Sequence, residues 1–123
     1  MTPDEESELL RRYRVLAEIA RVRWPEVTIV LVSQPLAGGD GGPTPLGIRW
    51  EMTAHGKEWE AGVDYPLNCD FVELVERAEG SVEMWRLEGR HIQKFGVGLP
   101  PFSGSFTELV AKVDAAIAAG VPL

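Results

Sequence analysis

Three side chains in this 123-residue sequence have the intrinsic reactivity for covalent or metal chemistry: Cys69, His55 and His91. A cysteine at a helix start gains thiolate character from the helix dipole, and the residues after Cys69 read as such a start. The adjacent Asp70 opposes that effect, and neither histidine is near in sequence to act as a base. No two of the three show the C-x2-C or H-x3-H spacing of zinc ligands, so no metal is expected. Cys69 then reads as a small hydrophobe, and as the lone cysteine it has no internal disulfide partner, which suits a reducing compartment.

Carboxylates are the other candidate. Glu51, Glu58, Glu60 and Asp64 fall on the polar side of one alternating segment. A pair of carboxylates performs glycoside hydrolysis only inside a cleft that raises one pKa, and the sequence holds no sign of such a cleft. The same group on an open surface is a docking patch for a basic partner. Residues 51–88 carry ten acidic and three basic side chains, the whole of the net charge of −7. Such a field repels nucleic acid and anionic membrane and draws basic proteins.

The glycines suggest phosphate binding, without the parts that chemistry requires. Gly38-Gly39-Asp40-Gly41-Gly42 lacks the G-K-[ST] ending, and a strand-like segment follows it where a phosphate cradle needs a helix N-terminus. Residues 34–45 therefore read as a Gly/Pro-rich loop, and no cofactor is expected. Trp24, Trp50, Trp59 and Trp85 lack the basic groove that single-stranded nucleic acid needs and read as core.

Several elements position these residues. Thr2-Pro3-Asp4-Glu5 has the form of a capping box with proline at the first helical position. Leu9, Tyr13, Leu16, Ala20 and Trp24 then form one helical stripe, ended by Pro25. Val15, Ile19 and Val22 form a second stripe, edged by charge, that is either buried in the core or used in dimerisation or partner binding. Val27–Val32 reads as a strand covered on both faces and central in its sheet. Ile48, Trp50, Met52 and Ala54, then Trp59, Ala61, Val63 and Tyr65, alternate with polar residues around His55-Gly56. A hairpin follows, with Met52 opposite Trp59 and Glu51 opposite Glu60.

Asn68–Glu79 reads as a short amphipathic helix started by Asp70 and Glu73 and closed by Gly80. A second hairpin is expected over Ser81–Leu87 and Arg90–Phe95 around Glu88-Gly89. Ser105 and Glu108 cap a last helix that ends at Gly120. The expectation is one α+β domain over 1–123, with a mostly antiparallel five-stranded sheet, flanking helices and the order α-β-β-β-α-β-β-α. That order, with a pI of about 4.8, resembles the small dimeric chaperones of type III secretion. The resemblance implies a homodimer that binds a partner polypeptide and has no active site.

The acidic start lacks the basic and apolar regions of a signal peptide, and no apolar run approaches the ~20 residues of a membrane span, so a cytoplasmic, non-membrane protein is expected. The functional expectation is a non-enzymatic protein-binding module of chaperone, immunity or inhibitor type. Its partner is a protein, basic in character, or a second copy of the chain, with no direct nucleic-acid binding. The contact residues are Val15, Ile19, Val22, Glu51, Glu58, Glu60 and Asp64. The alternatives are a DNA-mimic inhibitor of a nucleic-acid-binding protein, and a small enzyme using Cys69 or a carboxylate pair.

Overall fold

The computed structural model describes residues 2–34 and 44–123; residues 35–43, most of the expected Gly/Pro loop, lie outside the described residues. Helix α1 spans Pro3–Arg23 and begins with the expected capping box. The Thr2 hydroxyl accepts from the Glu5 amide, and the Glu5 carboxylate accepts from the Thr2 amide. The chain then runs through β1 (Val27–Gln34), β2 (Thr44–Ala54) and β3 (Lys57–Val63), an antiparallel meander in the order β1-β2-β3. The first hairpin has the expected register, with Met52 opposite Trp59 and Glu51 opposite Glu60. Its turn places His55 at φ 52° and Gly56 at φ 76°.

Two parts of the expected architecture are corrected. The sheet has three strands among the described residues, not five, because the segment read as a second hairpin is helical. Helix α2 runs unbroken from Phe71 to Phe95 and ends on Gly96 at φ 75°. Leu74, Ala78, Val82, Trp85 and Gly89 are its buried positions toward the sheet side, spaced four, four, three and four residues apart. That is a helical period, and it continues straight through the supposed turn. Between 81 and 95 only Val82 and Ile92 are β-branched, while Glu, Met, Arg, Leu, Gln and Lys supply strong helix formers. Gly80 and Gly89 therefore sit inside the helix, although each disfavours it by about 1 kcal/mol relative to alanine. The second correction concerns β1, which lies at the edge of the sheet among the described strands and not at its centre.

The element order is thus α-β-β-β-α-α, closed by α3 (Phe106–Ala119), and the order on which the chaperone resemblance rested is absent. Ser105 caps α3 as expected, accepting from the Glu108 amide at 3.1 Å. Asp70 precedes α2 but makes no side-chain cap.

Alternation along the strands turns Val27, Ile29, Ile48, Trp50, Met52 and Trp59 to one side of the sheet. Leu9, Leu16 and Ala20 of α1 and Trp24 just after it, with Leu74, Ala78, Val82 and Trp85 of α2, cover that side and complete the main core. Trp59 stacks on Trp85 with centroids 6.5 Å apart. A second, smaller core lies on the far side of α2, where Leu87 meets Leu109 and Val113 of α3. His91 is fully buried there. One ring nitrogen bonds the Val97 carbonyl at 2.8 Å, and the other accepts the Leu123 amide at 3.2 Å.

Candidate functional site

Because both α1 and α2 pack on one side of the sheet, the alternate residues of every strand form an open face. Pairing sets Thr28 beside Glu51 and Glu51 beside Glu60, with Thr53 beside Glu58 one step along. These side chains, with Glu26 just before β1, line a depression of about 610 Å³. Directly opposed carboxylates repel across a sheet. Arg49, on the same face, lies 3.7 Å from Glu51 and 4.0 Å from Glu60 and offsets part of that repulsion.

Two other nearby cations are paired, Lys57 away from the depression and Arg86 with Glu26 on its rim. Lys57 pairs with Glu88, whose second oxygen accepts from the Trp59 indole at 3.1 Å. Arg86 pairs with Glu26, and its hydrogen bond holds the Glu26 carboxyl below the usual value of 4.5. Glu58 forms no ion pair among the described residues. The depression therefore keeps a surplus of negative charge on exposed side chains.

The expected contact residues divide between two sides of the molecule. Glu51, Glu58 and Glu60 meet on the open face, and Asp64 lies one residue beyond β3 at its edge. Val15, Ile19 and Val22 belong to α1, on the opposite side of the sheet. Arg12 of α1 donates to the carbonyls of Pro66 and Cys69, and Arg23 pairs with Glu79 at 3.5 Å. The flank of α1 carrying Arg12, Ile19 and Arg23 therefore faces α2, and Ile19 packs against the core. Val15 is half-buried, and Val22 is 75% exposed.

Cys69, His55 and His91 are not gathered. Cys69 follows a 3-10 turn, Pro66–Asn68, and its thiol donates to the Pro66 carbonyl at 3.5 Å. His55 lies at the β2–β3 turn beside Gly89, and His91 is inside the second core. Among the described residues no three His, Cys, Asp or Glu side chains are placed to hold a metal ion. No helix among them is long and apolar enough to cross a membrane.

Glu26, Thr28 and Thr53 complete the open face with Arg49, and these three were not singled out from sequence. Arg49 and Thr53 share the hairpin parity of Glu51, a signal already present in the alternation. Glu26 and Thr28 join only through β1–β2 pairing across the 34–45 segment, which no local pattern marks. No family model, curated protein or solved structure matches the chain.

Proposed function

We propose that this chain is a cytoplasmic, non-enzymatic protein-binding module that receives a basic polypeptide on the open, acidic face of its sheet. The observation supporting this reading is the convergence of Glu51, Glu58 and Glu60, from two adjacent strands, on one uncovered depression. Arg49 is the cation that lies among them. Opposed carboxylates disfavour the free protein slightly and are relieved when a cationic side chain enters between them. The face is open to solvent, so it suits charge-steered docking better than acid–base catalysis, which needs a dry cleft. A chaperone, an immunity protein or an inhibitor is the kind of module this reading describes. Val15 and Val22, across the sheet from the acids, belong to a second contact in this reading.

The test is an NMR titration of the labelled full-length chain with an unstructured lysine- and arginine-rich peptide. Shifts concentrated at Thr28, Glu51, Thr53, Glu58 and Glu60, weakened by salt and lost in a Glu58→Gln/Glu60→Gln variant, support the proposal. Equal shifts at Asp4, Glu5, Glu76 and Glu83 would show unselective attraction and remove it.

A further inference from the structure

The position of β1 conflicts with its composition. Val27–Val32 contains no charged side chain and no proline, the character of a strand covered on both faces. Its core face is covered: Val27 and Ile29 are buried. On the open face Val30 and Val32 are only half-buried, and no described strand pairs with the outer edge. Soluble proteins guard free edges with charge, proline or bulges. The other edge, β3, carries Lys57, Glu58 and Glu60, with Asp64 directly after it. In β1 the one such device is a register shift between Val32 and Ser33, at the far end of the strand.

We propose that β1 pairs antiparallel with β1 of a second copy of this chain, joining two three-stranded sheets into one of six across a two-fold axis near Val30. Charge selects this occupant. With a net charge of −7, two copies repel over most of their surfaces, and the uncharged β1 edge is where they meet without opposed carboxylates. The contact is isologous, so Val30 packs on its own counterpart. The same axis sets the α1 helices antiparallel, because α1 packs on β1 while α2 packs on β2 and β3. The acidic first turn of one α1 (Asp4, Glu5, Glu6) then points toward the basic last turn of the other (Arg21, Arg23). The flank of α1 turned away from α2 presents the half-buried Leu10, Tyr13 and Ala17 to that contact.

Light scattering on the full chain tests the proposal. The expected mass is twice the 13.5 kDa of one chain. Val30→Lys sets like charges face to face on the axis and is expected to halve the mass with the far-ultraviolet circular dichroism retained. Glu58→Lys, on the other edge, keeps the doubled mass. A single-chain mass for the unmodified protein at every concentration overturns the proposal, as does a doubled mass in folded Val30→Lys. If Val30→Lys fails to fold, amide exchange of the unmodified protein decides. Slow exchange at consecutive residues 28–32 supports pairing on both sides of β1, and slow exchange at alternate residues only refutes it. The peptide titration above reads the acidic face separately, so either proposal can fail alone.

Discussion

Replacing Gly62 by alanine tests how closely β3 lies on β2. A β-carbon built at Gly62 comes within 2.6 Å of the Ile48 carbonyl oxygen and 2.9 Å of the Arg49 α-carbon, where ordinary contact begins at 3.4 Å. Both obstacles are backbone of the central strand, which β1 and β3 hold from either side. Neither can swing aside as a side chain would, so the strands must separate. Overpacking of this kind costs about 1–3 kcal/mol. The stiffer unfolded chain of the alanine variant returns roughly 0.4–1 kcal/mol. The expected net loss is about 1–2 kcal/mol, and with an unfolding entropy of about 2.1 cal/mol/K per residue the melting temperature falls by roughly 4–8 °C.

Gly80→Ala is the matched control, because a β-carbon at Gly80 meets nothing within 4 Å and the residue is exposed inside α2. It should gain about 1 kcal/mol and melt roughly 4 °C higher. Thermal melts of both variants beside the parent protein are sufficient. A Gly62→Ala variant that melts at or above the parent temperature refutes the close approach. A Gly80→Ala variant that melts lower refutes the continuous helix.

Glu88→Ala removes the acceptor of the Trp59 indole and the partner of Lys57 on a side chain only 15% exposed, so urea denaturation should show a loss of about 1.5–3 kcal/mol; an unchanged midpoint refutes the role. Hydrogen bonds from Arg11 and Arg12 hold the Glu8 carboxyl at about 2 against a usual 4.5, so its ionised contacts contribute fully above pH 4.5 and are lost as pH falls through about 2. Carboxyl NMR should show that midpoint moving upward in Arg11→Gln and in high salt, and a midpoint indifferent to both would contradict the assignment. His91→Leu leaves the Val97 carbonyl and the Leu123 amide without their shared partner, at about 1–3 kcal/mol for each group that stays buried. Exchange at the Leu123 amide should quicken in that variant, and unaltered exchange would show that the terminus is held by other contacts.

Local chemistry was legible in the sequence where it acts over a few residues. The capping box of Thr2 and the N-cap of Ser105 need only a hydroxyl and a residue three positions on, and the His55-Gly56 hairpin needs only its turn and its alternation. The misreading of residues 81–95 arose because Gly80 and Gly89 are strong turn signals locally. What overrides them is burial of Val82 and Trp85 against the sheet and of Leu87 against α3, a tertiary effect. The acidic face was legible in part: alternation placed Glu51, Glu58 and Glu60 together. Its Glu26 and Thr28 side depends on which strand neighbours β2, and the apolar character of β1 pointed to the middle of the sheet when the strand lies at its edge.

The meander has a kinetic consequence. Within one chain every described strand pairs only with its neighbour in sequence, and α1 packs on β1, the strand that directly follows it. The chain therefore closes short loops in order and never waits for two distant strands to find each other. Low contact order of this kind places folding toward the fast end for a mixed α/β domain. The longest hydrogen-bonded closure joins α1 and the start of β1 to the middle of α2, where Arg86 donates to the Arg23 carbonyl and pairs with Glu26. That joint is the natural place for the folding barrier, and Arg86→Ala should slow folding more than any change within β2–β3.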